Sequence, residues 1–360
     1  MRAVTAPLDR PMAQGSPLRR QLRRLAAVSG TTFLAIAVVS AFLMPLAFMI
    51  TTAFKEPSQL GAPGAPLYPA APETFEWEGR DLAVYDVPID GTIRALALVE
   101  PHREDAVFID PVAPEAGLIE WQGRWRTLEQ HWTFQLRAEN FSNAWNAIDF
   151  PQVFFNTFAI AGLSTLGAVL SGICVAYGFS RFRFPGRNGL FILMIATIIL
   201  PFQVTLIPTY TVFLALGWVG TWLPLIVPHF FANAYNVFLL RQYFLTIPRD
   251  LDEAAMIDGA GSFRILRSVI IPQARPAIVA VTLFHFFWAW NEYFLPLVYL
   301  QSTPDLQPLS VALSRFNALF STEPTLIQAA AIMAMALPVV VFFFAQRAFM
   351  RGVVITGVEK

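Results

Sequence analysis

The feature that most constrains this chain is the length of its uncharged runs. No Asp, Glu, Lys or Arg occurs between Arg24 and Lys55, and none between Arg187 and Arg241. A helix needs about 20 apolar residues to cross the hydrocarbon core of a bilayer, where every backbone amide must find its partner inside the segment. Runs of this length therefore predict membrane-spanning helices. Composition agrees, with 56% of residues hydrophobic and 14% charged, against about 25% charged in an average soluble domain. A formal net charge of zero offers no electrostatic basis for a nucleic-acid partner. Cys174, the one cysteine, lies inside an apolar run and has no partner for an intrachain disulfide.

Residues 1–28 form a basic N-terminal segment, and a first span follows over 29–54 with Pro45 as a kink site. The apolar core of a signal peptide would extend over only about 7–15 residues, so this span is expected to stay uncleaved. Residues 55–150 differ in character. A Gly-Ala-Pro linker at 61–66 precedes strand-like runs at 82–85, 93–99, 106–109 and 119–121, with turns at Asp90-Gly91 and Gln122-Gly123. This predicts a small β-rich extracytoplasmic insertion, whose core is small enough that it should lean on the membrane part or on a partner. The remainder, 151–360, predicts spans near 156–179, 189–211, 221–243, 277–300 and 325–349, with Pro201, Pro208, Pro224, Pro228 and Pro296 as breaks or bends. Arg181, Arg183, Arg187, Arg241, Arg249, Arg347 and Arg351 then fall on one side, and the short loops opposite hold only Arg315. By the positive-inside rule both termini are cytoplasmic; Lys55 is a small exception. The expected fold is an all-α membrane protein of six transmembrane helices, with the β-rich insertion between spans 1 and 2.

A charged loop at 246–276 interrupts the apolar pattern. Asp250, Asp252 and Glu253 favour a helix N-terminus, and Asp258-Gly259-Ala260-Gly261 stops that helix. Ser262 is expected to cap a second helix, with Phe263, Leu266 and Ile270 on one face and Pro272 ending it. This loop resembles the coupling loop of ATP-binding-cassette (ABC) importer permeases, written E-A-A-x-x-x-G followed by a hydrophobic-Pro element. The matching residues are Glu253, Ala254, Ala255, Asp258, Gly259, Ala260, Ile270 and Pro272, with Gly261 beside them. Small alanines let a partner approach closely, and Glu253 offers a charge to a partner arginine. The resemblance covers roughly 152–360 and the first span. Tyr177–Arg187, Leu200–Gln203, Phe238–Phe244 and Trp290–Phe294 look like segments of maltose-type carbohydrate permeases, of the second permease subunit in particular. It implies the type I ABC importer permease fold in a bacterial inner membrane and a heterodimer with another permease. It also implies two ATPase subunits carrying ATP and Mg, and an extracytoplasmic sugar-binding protein. The 55–150 insertion departs from the shorter maltose-type pattern.

A charge at mid-membrane depth costs about 2.5–3.5 kcal/mol on insertion scales, so a carboxylate there needs a reason. Glu292 is the only charged residue between Arg275 and Asp305. With Trp288, Trp290 and Asn291 it reads either as part of a sugar pathway or as part of an interfacial aromatic belt. Gln203, Asn233 and Asn236 are further pathway candidates, although polar residues in spans often only tie helices together. His102, His131, His229 and His285 are scattered and no metal-ligand cluster is apparent. No G-x-x-x-x-G-K-[ST] occurs, so P-loop ATP hydrolysis is not expected of this chain. The resemblance therefore implies a permease subunit that forms half of a sugar pathway. The alternatives are a permease for a sugar phosphate or polyol, an ion-driven transporter, which would need midplane carboxylates, or a membrane scaffold.

Overall fold

The structure, a computed structural model, describes residues 17–89, 91–318 and 321–354. Arg2 and Arg10 of the basic segment, Asp90 of the first hairpin turn and the tail from 355 lie outside these. The chain divides into two units, up to Thr51 and from Thr52 onward. The first is the body of helix α1 (Pro17–Ala53), which carries Pro45 within it.

The second unit begins with the insertion. Strands β1 (Ala70–Pro72), β2 (Thr74–Trp77), β3 (Arg80–Ile89), β4 (Thr92–Pro101), β5 (Asp105–Ile109), β6 (Leu118–Gln122), β7 (Glu129–Gln130) and β8 (Trp132–Phe134) contain all four expected runs. They form an antiparallel meander in the order β2-β3-β4-β5-β6, with β7 on β3, and a separate β1–β8 pair. Both sheet faces are covered. Val87, Leu96, Ala106 and Phe108 form one core. Val84, Ala97 and Ile109, directly paired across three strands, form the other. The insertion thus builds its own cores. It is tied to the helical part at its stems, where Asn140 donates to the carbonyls of Ala53 and Lys55, both at 2.9 Å. The expected β region extended to 150, but α2 (Glu139–Ala147) is helical. Alternation stops at Phe134, and Ala144 and Ile148 pack beside Ala329 and Ala330 instead.

Helix α3 (Phe150–Arg181) is the centre of the bundle. After it come α4 (Arg187–Ala196), α5 (Phe202–Ala215), α6 (Leu223–Ile226) and α7 (Ala234–Thr246). Next are the short helices α8 (Asp250–Ile257), α9 (Ser262–Ile265) and α10 (Ile271–Gln273), then α11 (Arg275–Asn291), α12 (Phe294–Tyr299), α13 (Leu309–Leu313) and α14 (Pro324–Val354). The third span bends by 99° between α4 and α5, at one of the prolines expected to break it. Leu200, forced extended by the following proline, and Pro201 make the break. The fifth span also divides, at Glu292 between α11 and α12. Among the described residues, four helices are long and apolar enough to cross a membrane, or up to six if each bent pair counts as one span.

Gly167, Ala168, Ser171 and Gly172 on α3 let the irregular segment between α6 and α7 approach closely, as small residues do in membrane interfaces. Ser171 Oγ donates to the His229 carbonyl at 3.0 Å and accepts from the Ala232 amide at 3.2 Å. It therefore satisfies backbone groups that the break between helices leaves open. Ala232 holds φ at +70°, a left-handed value unusual without glycine. A Cβ on Gly167 would lie 2.4 Å from the Phe230 ring, whereas one on Gly178 meets nothing within 4 Å. Gly167→Ala is expected to destabilise the bundle by about 1–3 kcal/mol through overpacking. Gly178→Ala should be neutral or slightly stabilising. Thermal unfolding of the two purified variants checks the contrast.

Candidate functional site

The loop singled out by sequence is a helical hairpin, α8 followed by α9 and α10. Asp250, Asp252 and Glu253 occupy the first turn of α8. The helix ends as expected at Asp258-Gly259. The Ala260 amide bonds the Ala255 carbonyl at 2.9 Å and the Gly259 amide bonds Met256 at 3.0 Å, with Gly259 at φ +79°. This is a Schellman close, which needs a left-handed residue at the position after the cap. Two expectations fail. Ser262 is not the cap: Gly261 takes that position and no side chain caps α9. Pro272 does not end the second helix but sits in the first turn of α10, after a π turn over Leu266–Ile270. That turn also changes the buried face. Ile265, Leu266 and Ile270 are buried, whereas Phe263 is 77% exposed.

The end of α3 fixes the hairpin at several points. Arg181 Nε lies 3.0 Å from Asp252 Oδ2, and both side chains are buried. Arg181 also donates to the Ile247 carbonyl at 2.9 Å, Arg249 to the Ser180 carbonyl at 3.3 Å, and the Tyr177 hydroxyl to the Ser262 carbonyl at 3.1 Å. Burial pushes the Asp252 carboxyl up from its ordinary value, against the opposing pull of Arg181 and Arg249. Below the hairpin, Ile265, Leu266, Ile270 and Ala274 join Tyr177, Val237, Leu240 and Phe244 in one core. Opposite, Glu253, Ala254, Met256 and Ile257 face outward. Sequence reasoning read Asp252 only as a dipole partner. Its pairing with Arg181 had no local signal, because the two residues are far apart in the chain.

Among the pathway candidates, the structure separates linings from packing. Trp290 is buried against Phe154 and Phe286. Asn291 donates to the Phe287 carbonyl of its own helix at 2.7 Å. Gln203 is exposed on α5. Asn233 caps α7, accepting from the Tyr235 and Asn236 amides. Glu292 caps α12 in the same way, with Oε1 accepting from the Phe294 and Leu295 amides at 3.1 Å. Trp288 stands between two cavities, one lined also by His229, Glu292, Ser164 and Thr157, the other by Asn233, Tyr235, Asn236 and His285. Two of the four histidines, scattered in sequence, meet here. The His229 and His285 rings lie 4.8 Å apart, each within 5.6 Å of Trp288. Asn236 Nδ2 and His285 Nδ1 are 3.1 Å apart. Two imidazoles on different helices could not be paired from spacing alone.

A family model for the inner membrane component of binding-protein-dependent transport systems matches residues 168–355, from the middle of α3 through the hairpin to the last helix. The chain belongs to this family. It is the multi-pass permease subunit of an ABC importer, in which the ATPase is a separate subunit. The permease is 32% identical to the osmoprotective compounds uptake permease protein GgtD of Synechocystis, over 76% of this chain and 92% of that protein. It is 35% identical to the sn-glycerol-3-phosphate transport system permease protein UgpE of Agrobacterium fabrum, over 58% of this chain and 74% of that protein. Among solved structures, a bacterial ABC transporter involved in the import of the acidic polysaccharide alginate superposes with a TM-score of 0.62. That likeness covers 91% of this chain and 96% of the other at 19% identity. It shows that the permease has the type I importer fold.

Because removing one partner strands a buried charge, Asp252→Leu and Arg181→Met are each expected to destabilise the permease by about 3–5 kcal/mol. The double variant R181M/D252L should recover a large part of that loss. A double-mutant cycle by thermal unfolding in detergent tests the coupling; additive losses would refute it.

Proposed function

We propose that the α8–α10 hairpin is the surface on which an ATPase subunit docks, and that the permease relays the nucleotide cycle from there to its membrane helices. The observation that carries this is the hairpin's two-sidedness. One face is bolted to the end of α3 through Arg181–Asp252, while the other presents Ile257 at 87% exposure, Phe263 at 77% and Met256 at 59%, next to Glu253. Exposed apolar side chains grouped with a carboxylate fit a protein partner that supplies a pocket and an arginine. Ala254, Ala255, Asp258, Gly259, Ala260 and Gly261 form the adjoining turn, and Ile270 and Pro272 shape the underside.

In the complete importer this chain pairs with a second, different permease. Two ATPase subunits carry ATP and Mg, and an extracytoplasmic binding protein delivers the substrate. A structure of the alginate transporter with a pentasaccharide-bound periplasmic protein supports that assembly. The hairpin and both termini then face the cytoplasm, the β insertion faces outward, and the chain crosses the membrane six times. The substrate is a sugar or polyol. Its route through this half passes the two cavities beside Trp288, whose ring offers an apolar face to C–H surfaces while Asn233, Asn236 and Glu292 offer hydrogen bonds. The sugar phosphate reading draws support from the UgpE relatives. Uptake of glycerol phosphate against uncharged sugars in the reconstituted importer decides between them.

Glu253→Lys is expected to weaken ATPase co-purification by tenfold or so, the size of one lost charge-assisted contact; an undiminished complex would remove Glu253 from the interface. Trp288→Ala should lower substrate uptake at least about tenfold while leaving assembly intact. Normal uptake would place the route elsewhere.

A further inference from the structure

Beyond the bolts at the end of α3, the chain turns through Arg183 and Gly186 into α4, and this turn faces Arg249 at the start of α8. A cleft of about 540 Å³ opens there, lined by Arg183, Gly186, Arg187, Asn188, Gly189 and Arg249. Its lining carries three arginines and no carboxylate, although Asp252, paired with Arg181, also feels Arg249. The described ion pairs involve Arg94, His131, Arg137 and Arg181, and none includes Arg183, Arg187 or Arg249. Arg187 donates one bond to the Phe182 carbonyl at 3.2 Å and Arg249 one to Ser180 at 3.3 Å. These bonds hold two guanidiniums in place and leave most of their donors free. Three such groups around one opening are suited to phosphate oxygens, which a guanidinium fork meets with two parallel bonds.

The surroundings tell a phosphate on a lipid from a phosphate in solution. Arg187, Leu190 and Leu193 follow one another at three-residue spacing, so they lie along one side of α4. Leu190 is 50% exposed and Leu193 64%. Phe184 lines the cleft itself and is also partly open. A polar cationic mouth thus runs directly into an apolar strip, and a free anion would use only the first of these. In a span, such a strip faces acyl chains, and the arginines stand at the level where it meets the headgroups.

We propose that this cleft binds the phosphodiester of an anionic phospholipid, with its acyl chains lying along Leu190 and Leu193. The inference rests on the membrane placement of α4, not on the docking role of the hairpin.

The test uses the complete importer, purified from nanodiscs of phosphatidylcholine with phosphatidylglycerol as the minority lipid. Retained lipid is counted by native mass spectrometry. Wild type is expected to keep phosphatidylglycerol in preference to phosphatidylcholine. An arginine near an anionic membrane surface is worth about fivefold, so R183Q should retain several-fold less and R183Q/R187Q more than tenfold less. R183K/R187K keeps the charge and should recover most of the retention; R80Q, on the β insertion, should match wild type. Among the described residues Arg183 makes no hydrogen bond that its loss would break, so R183Q alone carries the test if the double variant does not assemble. Equal retention by R183Q and wild type overturns the proposal, as does equal retention of the two lipids. Displacement of the lipid by millimolar inorganic phosphate would also overturn it, by identifying a free-anion site. ATP-dependent uptake in proteoliposomes of the same lipid composition reports separately on the permease reading.

Discussion

The placement of the hairpin turns on one buried ion pair, Arg181 with Asp252. Two charges leave water to form it, and their attraction repays that desolvation only in good geometry. Apolar residues of the same volume would hold the hairpin as well or better. What an ion pair adds is register: Asp252 has one place to go, and that place is the last turn of α3. With Arg181 also donating to Ile247 and Arg249 to Ser180, the end of α7, the start of α8 and the end of α3 are fixed to one another. A push on α8 therefore moves α3. Because α3 packs against α6, α7, α11 and α13, the push reaches most of the bundle at once. Close-packed cores do not deform gradually, so such a unit is suited to tilt as a body between two positions.

The same helix manages the opposite problem higher in the membrane, where backbone is irregular. Breaks in a span expose amides and carbonyls that lipid cannot satisfy. Ser171 bridges the break before α7, Asn233 caps α7, and Glu292 caps α12. Each polar residue singled out by sequence as a substrate contact at these points is thus engaged in holding a helix end. The two roles are compatible. A broken span next to a packed helix is where a cavity forms, and both cavities flank Trp288 beside these breaks.

How much was legible in the sequence follows from the range of each signal. The strands of the insertion, the Asp258-Gly259 stop and the outline of the apolar helices are local patterns, and the structure has them. Proline marked the bend at Leu200-Pro201, but its 99° angle has no signature in the local sequence. The α2 helix was missed because it is a single short amphipathic stretch following strand-like runs, and what it packs against, Ala329 and Ala330, is remote in the chain. The His229–His285 contact and the Arg181–Asp252 pair join residues remote in the chain. Neither leaves a trace in spacing.

The most instructive difference is Phe263. An α-helical period aligns Phe263, Leu266 and Ile270, and all three then belong to the core. The proline at 272 lacks an amide hydrogen and crowds the carbonyl one turn earlier. The helix widens just before it: the Ile271 amide reaches back five residues to Leu266. One residue is thereby absorbed, as in π bulges generally. Ile265 and Ile270 now share the inner face with Leu266, and Phe263 rotates out to join Ile257 and Met256. The hydrophobic-Pro element thus does more than close the loop. By shifting the register it turns a residue patterned for the core into part of the exposed apolar surface beside Ile257 and Met256.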